Sequence, residues 1–161
     1  MSLKCSWLVI ILEEMKRDEI EDFLSTARVG RLGTRLKDQP YIVPILYVYH
    51  KGKILIHSSG RGKKIEAIME DPKICFEIDE SLRDERELKS VIIFGEAGII
   101  QKREEKLEAL RALVEKYREY HKSREELMHI LYNEQYYAEC MERATIIAIS
   151  PTQVTGRKLQ R

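Results

Sequence analysis

Between Arg17 and Ala27 the apolar residues Ile20, Phe23, Leu24 and Ala27 recur at i, i+3, i+4 and i+7, and Asp18, Glu19, Glu21 and Asp22 lie near the start. This spacing predicts a short amphipathic helix with carboxylates at its positive end. From Arg28 the pattern turns strand-like through Lys37, and Lys37-Asp38-Gln39-Pro40 supplies a turn. Tyr41 to Tyr49 then runs without a charge, which predicts a strand needing cover on both faces. Pro44 interrupts this run, and its missing N–H is tolerated only at an edge, a bulge or a broken ladder, so something other than a neighbouring strand is expected beside it.

Lys51-Gly52 closes a hairpin into a strand from Lys53 to Ser58, and the Gly60 to Gly62 turn leads into a helix carrying Ile65, Ile68 and Met69 that stops before Pro72. Ile74, Phe76 and Ile78 alternate with polar positions as a half-buried strand. Glu80 to Glu87 reads as a solvated loop, and Val91 to Ile100 as a long strand in which Gly95 and Gly98 mark a bend or bulge. Glu104 to Tyr120 is a helix with Leu107, Leu110, Leu113, Val114 and Tyr117 on one stripe. A further helical stretch spans Arg124 to Glu142, and Thr145 to Ile149 forms a last strand before Pro151. Hairpin-length links among the early strands predict an α+β fold, a largely antiparallel sheet curled into a barrel with peripheral helices.

Composition narrows the class of protein. The 161 residues, 43% apolar and 34% charged, are expected to form one soluble domain over residues 15–161, with residues 1–14 as an N-terminal extension. The six apolar residues Trp7 to Leu12 are too few for a membrane span, and Met15 offers an alternative start. A net charge of +1 gives no global field to recruit nucleic acid or an anionic membrane, so neither is expected as a partner. Cys5, Cys75 and Cys140 are widely spaced and odd in number, which fits no disulfide framework or metal-cluster spacing and predicts a cytoplasmic setting without a bound metal.

The informative stretch is His57-Ser58-Ser59-Gly60-Arg61-Gly62-Lys63-Lys64, at a strand-to-helix junction. Hydroxyls, glycines, cations and the N–H groups of a starting helix all favour a phosphate. Lys51 to Lys64 holds five cations and no carboxylate, a local excess in a nearly neutral chain. A solvated basic turn is the plain alternative. The spacing matches neither a Walker loop nor a dinucleotide fingerprint, so a single phosphate on another kind of sheet fits better.

With these residues in view, the chain resembles the pyridoxamine 5′-phosphate oxidase-like FMN-binding split β-barrels, in particular their nitroimidazole-reductase-like branch. The matching blocks, in order, begin at Ala27-Arg28-Val29-Gly30-Arg31, Pro40-Tyr41-Ile42-Val43-Pro44, Ile56-His57-Ser58-Ser59-Gly60, Asp71-Pro72-Lys73-Ile74 and Ser90-Val91-Ile92-Ile93, and end with Pro151 to Lys158. Together they cover about residues 16–120 and 144–158. The resemblance implies that Ser58, Ser59, Arg61, Lys63 and Lys64 hold the FMN phosphate, and that Val43, Pro44, Ile45, Leu46 and Tyr47 line the isoalloxazine ring. Arg31 is expected near the ring's pyrimidine edge or the phosphate, with an exposed strand arginine as the alternative. His57 reads as an acid, a ring contact or a simple hydrogen-bond donor.

Members of such a family are usually homodimers with FMN at the subunit interface, and the long apolar strands exceed what one small barrel can hide. The implied activity is that of an FMN-dependent oxidoreductase passing electrons from NADH or NADPH to a small electron-poor acceptor. A non-catalytic flavin or haem carrier or sensor on the same barrel is the second reading, and a deazaflavin in place of FMN stays open. The chain lacks the basic C-terminal motif of a vitamin B6 oxidase. The helical insertion from Tyr120 to Arg143 is expected to cap the pocket, and His129 with Tyr132, Tyr136 and Tyr137 reads as core or interface packing, with an aromatic pocket or a haem ligand as the alternative.

Overall fold

A computed structural model describes residues 12–81, 87–120 and 143–160, together with Gln135 and Glu139. Helix α1 (Arg17–Thr26) opens the fold after a two-residue strand β1 (Glu13–Glu14). Strands β2 (Val29–Leu36), β3 (Gln39–Leu46), β4 (Val48–His50) and β5 (Lys53–Ser58) follow, then helix α2 (Lys63–Glu70), β6 (Lys73–Ser81), β7 (Glu87–Ile99), α3 (Arg103–Lys116) and β8 (Thr145–Gln160).

The strands form one antiparallel sheet in the order β3-β2-β6-β7-β8-β5-β4, with β1 on β8. The two ends of this path, β3 and β4, are consecutive in the chain and joined only by Tyr47, so the sheet rolls back toward itself as a split barrel flanked by three helices. Two apolar layers result. Leu32, Ile54, Ile56, Phe76, Ile78, Val91 and Ile93 fill the barrel under α1 and α2, while Leu110, Leu113 and Tyr117 of α3 cover Val48, Leu55 and Ile146 on the outer face. Strand β5 is therefore apolar on both faces because each face meets a different layer.

The uncharged run Tyr41–Tyr49 is not one strand: Tyr47 breaks it, and β3 is covered on one side only. Pro44 pairs with Arg31 of β2, and no strand occupies the other edge of β3 among the described residues, where its absent N–H is harmless. The expected loop at Glu80–Glu87 is shorter, since β6 runs to Ser81 and β7 starts at Glu87. Pro151 does not end the last strand. It faces Gly95 at a register shift, where a Cβ on Gly95 would lie 2.4 Å from the Ser150 carbonyl oxygen; the bulge absorbs the proline and β8 continues to Gln160. Of residues 1–14, only Leu12 to Glu14 are described, and Glu13 and Glu14 pair with Lys158 and Arg157. Among the described residues no helix is long and apolar enough to cross a membrane.

Candidate functional site

The open edge of β3, the end of β5, the last turns of α3 and the residues just before β8 enclose a cavity of about 810 Å³. Pro44, Ile45 and Leu46 form one wall, His57, Ser58 and Ser59 a second, and Leu110, Leu113, Val114 and Tyr117 a third, with Glu139, Arg143 and Ala144 completing it. The volume lies within the usual range for a small-molecule site, and most of the lining is hydrocarbon with a few polar groups at one end.

The polar end is built by the β5-to-α2 junction. Ser58 is only 4% exposed, and its Oγ is buried without a hydrogen-bond partner. Native interiors rarely leave such an atom unsatisfied, because an unpaired buried hydroxyl costs roughly 1–3 kcal/mol. The chain then turns through Gly60 and Gly62, both at positive φ, into the first turn of α2. A side chain on Gly60 would place its Cβ 2.5 Å from Thr145 Oγ1, so only glycine lets this turn lie against β8. No side chain caps α2 at its Gly62 start.

Arg61, Lys63 and Lys64 surround this turn, and among the described residues none of them forms an ion pair. They stand beside the cavity and are not part of its wall. Burial, and then the positive charge of Lys64, hold the His57 imidazole below its ordinary pKa, so the ring favours its neutral form. Ser59 Oγ makes one long hydrogen bond, 3.4 Å, to the Arg61 carbonyl. The arrangement suits a ligand with a flat apolar body and an anionic end.

Three of the residues expected from the sequence lie elsewhere. Arg31 is absent from the cavity: its guanidinium is bound by Glu77 at 3.0 Å and by Asp79, two carboxylates of the adjoining strand β6. Val43 faces inward and packs against the barrel core. Tyr47 is wholly buried, its hydroxyl donating to the Leu24 carbonyl at 2.8 Å and its ring edge-on to Phe76 at 5.0 Å. Its backbone N–H, a donor that a ring edge might have used, is taken by Tyr117 Oη at 3.0 Å. Pro44, Ile45, Leu46, His57, Ser58 and Ser59, distant in sequence, are brought together.

Sequence reasoning missed the third wall. The stripe on α3 was visible in the 3.6-residue period, yet its first use is packing, and periodicity carries no sign that one side of it borders a cavity. Of the insertion, Glu139 and Arg143 reach the cavity; His129, Tyr132, Tyr136 and Tyr137 lie outside the described residues.

Comparison with known proteins agrees with this architecture. A curated relative, an uncharacterised protein from Rhizobium meliloti (strain 1021), is 37% identical over 81 residues, covering 50% of this chain and 52% of that protein. The match thus spans about half the length of the relative. A FAD-binding protein from Mesorhizobium loti has a similar structure, with a TM-score of 0.70 at 24% identity over 93% of this chain and 99% of the other. A candidate 5-nitroimidazole antibiotic resistance protein from Bacteroides thetaiotaomicron superposes with a TM-score of 0.72 at 20% identity, covering 92% and 87% of the two chains. The flavocytochrome Anf3 from Azotobacter vinelandii gives 0.65 at 16% identity over 88% and 66%. At these identities the structural likenesses establish the fold, while the family model for pyridoxamine 5′-phosphate oxidase matches residues 16–158. With the antiparallel split barrel and the cavity at the β5–α2 junction, that match places the chain in the pyridoxamine 5′-phosphate oxidase family.

Proposed function

We propose that this chain binds FMN in the β3–β5–α3 cavity and works as an FMN-dependent oxidoreductase between a nicotinamide donor and a small electron-poor acceptor. The observation that carries the reading is the orphaned Ser58 hydroxyl at the end of an apolar cavity, next to the uncapped start of α2 and to Arg61, Lys63 and Lys64, which form no ion pair among the described residues. A phosphate would satisfy the hydroxyl, the leading N–H groups and the cations together. The FAD-binding protein and the flavocytochrome among the similar structures support a flavin as the group in question.

The residues divide the work by chemistry. Ser58, Ser59, Arg61, Lys63 and Lys64 hold the phosphate, and Pro44, Ile45 and Leu46 with Leu113 and Val114 offer apolar surface to the ring and exclude water from it. Neutral His57 borders the cavity and is able to donate or accept one hydrogen bond there. When bound, FMN supplies reversible two-electron chemistry, so the protein's part is position and electrostatics.

The site is proposed to work in a homodimer. Ile42, 66% exposed, and Leu46 leave the outer side of β3 apolar, and Phe94, 49% exposed, does the same on β7. Exposed apolar side chains on two strands of one sheet favour burial against a second copy. Light scattering after size exclusion is expected to give twice the chain mass; a monomer would remove the dimer.

The test of function is direct. Yellow, FMN-loaded protein mixed anaerobically with NADH or NADPH should bleach, then recover its colour on addition of a nitro-compound or quinone. Bound flavin that neither donor reduces would leave a carrier. Replacing Lys63 and Lys64 together by alanine should weaken FMN by about tenfold or more, given one to two charge-assisted phosphate contacts. Unchanged retention in that variant would move the phosphate elsewhere.

A further inference from the structure

The strand register brings a distant cation to the phosphate turn. Ser58 of β5 pairs with Thr145 of β8, the final rung of an antiparallel ladder. Arg143 lies two residues before that rung, where the chain is still helical, so this pairing carries it toward the turn that follows Ser58. The close approach of Gly60 to Thr145 shows that the turn does lie against this stretch. Arg143 borders the same cavity as Ser58 and Ser59 and makes no ion pair among the described residues, although Glu139 borders that cavity too.

We infer that Arg143 is a further phosphate-binding residue, supplying the guanidinium that completes the Ser58–Lys64 cradle from the far end of the chain. The inference rests on the proposed FMN site and adds to it. Among the described cavity-wall residues, Arg143 is the one Lys or Arg. The cradle cations Arg61, Lys63 and Lys64 stand beside the wall, so without Arg143 an anion lodged against Ser58 would have no cationic side chain on the wall itself. A guanidinium suits this position because its planar fork can engage two phosphate oxygens at once. Glu139 on the same wall gives the empty cradle a competing carboxylate, so a ligand must carry enough negative charge to hold Arg143, which favours a phosphate monoester dianion over a neutral flavin.

Titrating apoprotein with FMN and, separately, with riboflavin separates charge recognition from ring recognition, because riboflavin has the ring without the phosphate. Arg143→Gln is expected to weaken FMN by about tenfold to a hundredfold while changing riboflavin by less than about twofold, and Arg143→Lys, which keeps the charge but not the fork, to weaken FMN by less than Arg143→Gln does. Arg143 is exposed, so thermal melting of both variants should follow the parent chain. Equal loss of FMN and riboflavin, or no loss of FMN, would overturn the role assigned to Arg143 while leaving the proposed function standing. A parent chain that binds neither flavin would overturn the proposed function, and this inference with it.

Discussion

The Tyr47 junction and the β5–α2 turn treat their polar groups in opposite ways. At the Tyr47 junction the tyrosine hydroxyls and the Tyr47 amide find partners within the protein: Tyr117 Oη takes the Tyr47 N–H and donates among the Tyr47 and Arg28 carbonyls at 2.7 and 2.6 Å, and Tyr47 Oη donates to the Leu24 carbonyl. Lys116 Nζ reaches the Ala27 carbonyl at 2.7 Å and lies 4.0 Å from the centre of the Tyr47 ring. At the β5–α2 turn the opposite holds among the described residues, with a buried hydroxyl unpartnered, a helix start uncapped and three cations without carboxylates. The first region uses its polarity to hold two strands at a break; the second keeps its polarity available. That difference separates a structural hub from a binding surface more reliably than composition, since both regions are rich in Lys, Arg and hydroxyls.

The contrast can be broken most forcefully at Tyr47. Tyr47→Ala empties a fully buried ring position and should lower stability by about 3–5 kcal/mol in urea denaturation. A loss below about 1 kcal/mol would mean that the junction is not a hub. Tyr117→Phe keeps the ring and deletes one oxygen, yet strands the buried Tyr47 N–H, so about 1–3 kcal/mol is expected from the same measurement.

Ser58→Ala sharpens the comparison because its two readouts should move in opposite senses. Deleting an orphaned hydroxyl should leave the apoprotein unchanged or more stable by up to about 1 kcal/mol, while FMN affinity falls about tenfold. A destabilised apoprotein would show that the hydroxyl already serves the fold.

The last test of the comparison is in pH. Burial, and then the positive charge of Arg28, lower the Lys116 pKa from 10.5 to about 8. The unfolded chain therefore binds more protons between these values, so stability should rise with pH from about 8 to about 10.5. Thermal melts of the parent chain minus those of Lys116→Met should show that rise; a flat difference would mean that the amine is as well accommodated charged as free. His57 adds a second window, since its lowered pKa makes stability fall as pH drops below the ordinary imidazole value of 6.5.

Much of the fold is legible in local pattern. The α1 and α3 stripes, the alternation of Ile74, Phe76 and Ile78, and the glycines flanking Arg61 all appear as the elements their periods imply. Misreadings cluster where a partner strand decides. Pro151 looked terminal because a proline normally ends a ladder, and only the bulge opposite Gly95 lets β8 continue. Arg31 looked available because the carboxylates that hold it, Glu77 and Asp79, are 46 and 48 residues away in the chain.

What the chain itself determined is therefore the set of short-range facts: which residues form helices and strands, and that the Ser58–Lys64 turn gathers hydroxyls, glycines and cations, because such properties depend on neighbours a few bonds apart. Which of those groups stay unpaired was decided only by folding. Tyr47 and Arg31 found internal partners, Ser58 did not, and Arg143 came to border the same cavity as Ser58. Pairing between segments separated by dozens of residues is a property of the assembled sheet, and it selects the polar groups left for a ligand.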